Sequence, residues 1–245
     1  MLRHAYHSLM DRPIPDLSDL RFGKSACRKH LLCPIHEKCV RVNGELLSHS
    51  YYWHYDPRPE GAMEDIFLRE RVVLKLKKID QILRTLGLRL LIQEGFRPLP
   101  VQRFVQEVSV LNGLRKEYPN LGKAELEEKV KMFAASMNGD LQSSPTPHFT
   151  GGAADLTIVY ASGEQVDMGK GGGLYNTAFP DALEKIDHGD FEHARRFRRL
   201  LFWLALWQEM IVNPTEWWHI SYGDQMWAWA TKAPYAIYGV AEHFE

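Results

Sequence analysis

The sequence has no surplus of charge of either sign, no disulfide framework and no long apolar run. Thirty basic residues face 31 acidic ones, for a net charge of −1 at pH 7. That balance gives no phosphate-tracking surface and no attraction to an anionic bilayer, so neither nucleic acid nor membrane is expected as a partner. The opening residues Met1-Leu2-Arg3-His4-Ala5-Tyr6-His7 run into Asp11, Pro13 and Pro15 without the apolar core of a signal peptide. No stretch is long enough to span a bilayer, and a cytoplasmic location is expected.

Cysteine is scarce as well. Cys27, Cys33 and Cys39 are odd in number, which argues against disulfide pairing and fits a reducing compartment. They are evenly spaced with His30 and His36 between them, but the gaps are wider than the Cys-x2-4-Cys knuckle of structural zinc, so no second metal is expected there. The glycine-rich stretch Gly169–Gly173 lacks the Gly-Lys-Ser/Thr of a phosphate-binding loop and reads as a mobile rim.

A hydrophobic fraction of 45% in 245 residues supports one substantial core, and no repeat or linker divides the chain. Residues 1–50, rich in Pro, His and charge, read as an irregular segment packed on the core, and 51–245 as the catalytic domain. Val72, Leu76, Ile79, Leu83 and Leu86 recur at helical spacing, with Gly87 placed to end the helix. Leu88 to Phe96 reads as a buried strand ended by Arg97-Pro98. Val101, Val105, Val108 and Leu111 mark a second helix, and Leu126, Val130, Phe133 and Met137 a third, closed by Asn138-Gly139-Asp140.

Ala153 to Tyr160 reads as a strand turning at Ala161–Glu164 into a return strand through Val166 and Met168. Phe191 to Ile211 is the most apolar helix, stopped by Asn213-Pro214. Glu216–Tyr222 and Gln225–Ala230 read as an aromatic hairpin around Gly223-Asp224. The sum is an α+β domain with helices packed on a central antiparallel sheet.

Chemistry gathers at two places. Thr146–Thr157 sets His148 in a Pro-rich turn and Asp155 in the following strand; Glu216 and His219 lie beside Trp217 and Trp218, where an acid and an imidazole must be paired, coordinated or solvated. Two imidazoles and one carboxylate leave the fourth position of a tetrahedral ion open to water, the pattern of catalytic zinc, with Glu216 left over as a base. Residues three apart on a straight strand point to opposite faces, so Glu216 and His219 require a bend between Pro214 and Trp217.

Thr146-x-His148-x-x-Gly151-x-Ala153-x-Asp155 followed by Glu216-x-Trp218-His219 resembles the paired motifs of the zinc D-Ala-D-Ala peptidases. Glu94-Gly95-Phe96-Arg97-Pro98 with Gln102, the Arg195–Leu201 run and Tyr222-Gly223-Asp224 before Trp227-Ala228 are similar to the dipeptidase branch, the VanX-like D-alanyl-D-alanine dipeptidases. The resemblance covers roughly residues 50–230 and leaves the cysteine-bearing N-terminal segment unaligned. It implies the zinc DD-peptidase, hedgehog-like fold, with one Zn2+ held by His148, Asp155 and His219. It further implies Glu216 as general base, Arg97 supporting the transition state, and Thr146 and Tyr222 near the substrate.

The implied activity is hydrolysis of D-alanyl-D-alanine or a similar small D-configured dipeptide, with a role in peptidoglycan or cell-wall chemistry. The alternatives are a DD- or LD-carboxypeptidase acting on longer wall peptides and a non-catalytic module that retains zinc. Two departures stand out: Thr146 occupies the family's serine position, and Lys170–Tyr175 replaces the usual Phe-Asp after Met168-Gly169, with Asp167 or Asp181 as candidate substitutes. No oligomeric state is indicated.

Overall fold

A computed structural model describes residues 2–133, 140–169, 175–186 and 189–245. In chain order the elements are α1 (Leu2–Asp11), α2 (Ser18–Cys27), β1 (Cys39–Arg41), β2 (Leu47–Ser48), β3 (Phe67–Arg69), α3 (Glu70–Thr85), β4 (Leu88–Glu94), α4 (Leu99–Phe104) and α5 (Val110–Glu117). Then come α6 (Lys123–Phe133), β5 (Ala153–Tyr160), α7 (Glu192–Trp207), β6 (Ile211–Val212), β7 (His219–Ser221) and α8 (Gln225–Thr231). Met137, Asn138 and Gly139 of the expected third helix and its close, and Lys170 to Gly173 of the expected rim, lie outside the described residues.

The fold is α+β. Its main sheet has the order β2-β4-β5-β7-β6, with every pairing antiparallel except β2 against β4, which is parallel. The sheet is therefore mixed at one edge rather than purely antiparallel: β2 offers only Leu47 and Ser48 to β4, too short a run to stand out in the sequence. A second, two-stranded ladder pairs β1 with β3.

The apolar periodicity of α3 buries Val72, Leu76, Ile79 and Leu83 in one cluster with Leu90 and Ile92 of β4, Leu156 and Ile158 of β5, Ile220 of β7, and Leu200, Leu201 and Leu204 of α7. Cross-strand partners Leu90↔Ile158 and Ile92↔Leu156 share a face, so β4 and β5 present one continuous apolar surface to that core. Buried Asp80 joins α3 to β4 by accepting from the Leu90 N–H at 2.8 Å and from the Arg89 guanidinium.

Three segments differ from the sequence reading. Residues 1–50 carry two helices rather than irregular structure. α1 packs along α7, with the Trp203 indole donating to Arg12 O at 2.9 Å, while α2 packs against α8 and buries Cys27 beside Met226. Helices of ten residues are marginal in isolation, so α1 and α2 form through docking on the core.

Gln225–Thr231 is α8, not the second arm of a hairpin: the Asp224 side chain caps it, accepting from the Trp227 N–H at 2.7 Å. The antiparallel partner of β7 on that side is β6. The expected return strand after β5 shrinks to an isolated bridge, Val159↔Gln165, and a Val166 N–H bond to Ile158 O.

Candidate metal centre and its surroundings

β5 lies at the centre of the sheet, and the site is built on its N-terminal half. Asp155 and His219 are direct cross-strand partners of β5 and β7, so the carboxylate and the imidazole leave the sheet on one face. His219 Nδ1 lies 3.1 Å from Asp155 Oδ1. His148 arrives from the other direction, on a 3-10 turn spanning Pro147–Thr150 that ends at Gly151 with φ +70°. A Cβ at Gly151 would meet Cys39 Sγ at 2.5 Å, so conformation and crowding both require glycine there.

His148 Nε2 then stands 3.0 Å from His219 Nδ1 and 3.3 Å from Asp155 Oδ1. These three are the one group of metal-ligand type found together among the described residues, with all ligand atoms within 4.8 Å. A tetrahedral ion with bonds of about 2.0–2.1 Å has ligand–ligand edges of roughly 3.3 Å. The observed triangle is of that size, so the residues present fit a small divalent ion.

The surrounding hydrogen bonds fix the ligand tautomer of one imidazole and permit that of the other. His148 Nδ1 faces the Gly95 carbonyl at 2.8 Å, which can only accept, so the proton sits on Nδ1 and the Nε2 lone pair points into the trio. His219 Nε2 faces Ser221 Oγ at 3.1 Å, a hydroxyl that can donate or accept; with the N–H on Nε2, Nδ1 is free to bind an ion. Burial, reinforced by the Arg97 charge, pushes His148 down to about 4, which keeps the imidazole neutral. Burial acts to raise Asp155, but the His148 and His219 imidazoles outweigh it and hold the carboxyl well below the ordinary range.

Arg97 follows β4 and is buried, with hydrogen bonds from its guanidinium to two acceptors and its Nε left without one beside Glu94. Nη2 donates to Asp155 Oδ2 at 3.0 Å, Nη1 donates to Gln102 Oε1 at 3.0 Å, and Nε lies 3.8 Å from Glu94 Oε2. A bulge at the end of β4 shifts the register between Ile92 and Glu94 so that Glu94 stands opposite Asp155. Burial pushes the Glu94 carboxyl up to about 8, against the pull of Arg97. The Tyr52 ring packs 5.3 Å from the Arg97 guanidinium carbon, and burial raises its phenol well above the ordinary range.

Glu216 sits in the turn between β6 and β7, where its N–H bonds to Asn213 O at 3.0 Å and its C=O accepts from His219 N at 3.2 Å. The bend required by the spacing is present, and it places Glu216 Oε2 3.7 Å from His219 Nδ1. The side chains of Asp155 and Glu216 keep 17% and 13% exposure, against 5% for His148 and 4% for His219, so solvent reaches the centre past the two carboxylates.

Two sequence-derived positions behave differently from the rest. Thr146 is buried two residues before His148, with its hydroxyl unpartnered. Tyr222 is turned away: one residue beyond Ser221 it projects to the opposite face of β7, with Lys75 Nζ 4.2 Å over its ring and Trp227 5.0 Å away. That alternation removes it from the site.

Asp181 is engaged by the N-terminal segment, accepting from Arg21 Nη1 at 2.6 Å and from the Leu17 N–H at 3.1 Å. Asp167 accepts from the Gly169 N–H at 2.7 Å. Glu94, Tyr52, Ser221 and Asn213 are polar neighbours of the centre that the sequence reading passed over. Glu94 is part of the Glu94–Pro98 stretch that carries the family resemblance but takes no role from it, Ser221 reads as part of an aromatic run and Asn213 as a helix stop.

Residues 62–238 match the peptidase M15 family, described as D-Ala-D-Ala dipeptidase, and the metal-ready trio falls within that span. The protein is thus a metallopeptidase. A curated D-alanyl-D-alanine dipeptidase from Synechocystis sp. is 30% identical over 173 residues, covering 63% of this chain and 69% of that protein. The chain belongs to the D-Ala-D-Ala dipeptidase family. Among solved structures, the LD-carboxypeptidase LdcB, reported in connection with peptidoglycan recognition, aligns over 80% of this chain and 74% of its own at 15% identity and a TM-score of 0.35. At that level the alignment carries no argument.

Proposed function

We propose that this chain is a zinc-dependent dipeptidase that hydrolyses D-alanyl-D-alanine or a closely related small D-configured dipeptide. The carrying observation is the in-register pair Asp155–His219 with His148 Nε2 closing the triangle and Glu216 beside it. His148, Asp155 and His219 would hold a zinc ion, which when bound would supply Lewis acidity, lowering a water's pKa to about 7 and polarising a carbonyl.

Glu216 takes a proton from the attacking water as its oxygen bonds to the carbonyl carbon, and then passes that proton to the amine nitrogen as the C–N bond breaks. The products are a carboxylate and a free amine. Arg97, held by Gln102 and Asp155, provides a guanidinium of settled orientation for the oxyanion charge that grows on the carbonyl oxygen. Thr146, with an unpartnered hydroxyl beside His148, is the substrate-side contact. A role in wall-peptide chemistry is the setting in which such a dipeptide arises.

The test is amine release by the zinc-loaded protein from D-Ala-D-Ala, L-Ala-L-Ala and an N-acylated tripeptide. Turnover of D-Ala-D-Ala above the other two is expected. Turnover of the blocked tripeptide alone would replace this reading with that of a carboxypeptidase.

A further inference from the structure

The turn that carries Glu216 is organised by one side chain. Asn213 is buried, and every polar group it has is in use. Its N–H donates to His219 O at 2.8 Å and its C=O accepts from the Glu216 N–H at 3.0 Å, which ties both ends of the turn together. Its side-chain Oδ1 accepts twice from Thr215, from the backbone N–H at 3.1 Å and from the hydroxyl at 3.0 Å. A backbone N–H can only donate, so the end of the amide facing Thr215 must be the oxygen. The other end, Nδ2, is thereby aimed at Glu216 and donates to Oε2 at 2.7 Å.

We propose that Asn213 is a positioning residue for the general base: its amide, locked by Thr215, holds the Glu216 carboxylate beside the metal-ligand trio. The inference rests on Glu216 acting as the base. The donor is a neutral amide, so it orients the carboxylate without placing a cation on it. A lysine or arginine at the same position would form an ion pair and oppose the proton transfer. A carboxylate on a side chain as long as glutamate samples several rotamers, and one short hydrogen bond from a rigid turn removes most of that freedom before substrate arrives.

A structural role for Asn213 and a positioning role separate cleanly by substitution. Asn213→Asp keeps an oxygen for both Thr215 donors, and so keeps the turn, but turns a carboxylate oxygen toward Glu216 in place of the N–H. Asn213→Ala removes both functions. The experiment measures kcat, KM for D-Ala-D-Ala, bound zinc per chain and thermal midpoint for these two proteins, for Glu216→Gln and for the double variant Asn213→Asp/Glu216→Gln.

The expected result is a fall in kcat of roughly 10- to 100-fold in both single Asn213 variants, within the range that general-base catalysis commands. KM should stay within about twofold and zinc at one per chain, and Asn213→Asp should add no further loss once Glu216 is glutamine. Near-normal kcat in Asn213→Asp, or loss of zinc from it, would overturn the proposal, the first by showing a purely structural turn residue and the second by showing a support of His219. Full activity in Glu216→Gln would instead remove the base reading itself, an outcome distinct from an inactive Glu216→Gln beside an active Asn213→Asp.

Discussion

The two halves of the candidate metal centre are held in different ways. His148 and Asp155 come from a 3-10 turn and the central strand β5, which is flanked on both sides by β4 and β7; His148 is anchored to a main-chain carbonyl, and Asp155 to the buried guanidinium of Arg97. Glu216 and His219 come from a short turn and the three-residue strand β7, and their polar anchors are side chains, Asn213 and Ser221. A main-chain anchor survives substitution, whereas side-chain anchors are removed by one codon change. Of the four groups only His148 has the first kind of anchor, so Asp155 depends on Arg97 as Glu216 depends on Asn213 and His219 on Ser221.

The largest expected effect tests whether the second half carries the chemistry. Glu216→Gln should keep its metal and lose turnover by about 10^3-fold or more, read as kcat alongside metal analysis. Loss of the metal instead would make Glu216 part of the ligand set and erase the distinction between ligand and base.

Arg97→Ala, on the first half, should lower kcat by about 10^2-fold while changing KM less, the split expected of a group that acts on developing charge. An effect confined to KM would reassign it to holding the ground-state substrate. Ser221→Ala should weaken metal affinity by roughly 10- to 100-fold, measured by competition with a chelator, and leave kcat unchanged once the metal is saturating. Unchanged affinity would mean that β7 itself, not the hydroxyl, sets the His219 ring.

The smallest effect is on stability. Burial raises Glu94 from its ordinary 4.5 to about 8, so the folded protein keeps a proton that the unfolded chain releases above about 4.5. The stabilisation is fully present below that value and is lost as pH rises through about 8. The slope is at most about 1.4 kcal/mol per pH unit. Glu94→Gln, which cannot ionise, should flatten this decline in urea midpoints taken between pH 5 and 9; an unchanged slope would assign it to other groups.

How far the sequence carries is plain from particular segments. The apolar spacing of α3 and the run of β5 are read correctly because each is long and periodic, and Gly87 marks the end of α3 with φ +74°. The ligand-type residues could be paired from their motifs, and the strand register then puts Asp155 opposite His219. Aromatic residues misled the reading of 225–230: Trp227 and Trp229 favour strand, but the Asp224 cap and docking on α2 make a helix.

Tyr222, which the resemblance puts near the substrate, follows Ser221, where strand alternation sends its ring to the other face against Lys75 and Trp227. Glu94 was hidden because a bulge, which leaves no sequence mark here, rotates it toward Asp155. Asn213 was legible only as a stop signal; its amide's task depends on Thr215 and Glu216 meeting it in a turn.

One ion in the His148–Asp155–His219 triangle is expected to enable peptide hydrolysis. Metal-free protein titrated with zinc, with D-alanine release from D-Ala-D-Ala followed at each addition, tests it directly. No turnover is expected at the start, followed by a linear rise that saturates at one equivalent per chain and is abolished in His219→Ala. Turnover before any zinc is added, or an unchanged titration in His219→Ala, would contradict it.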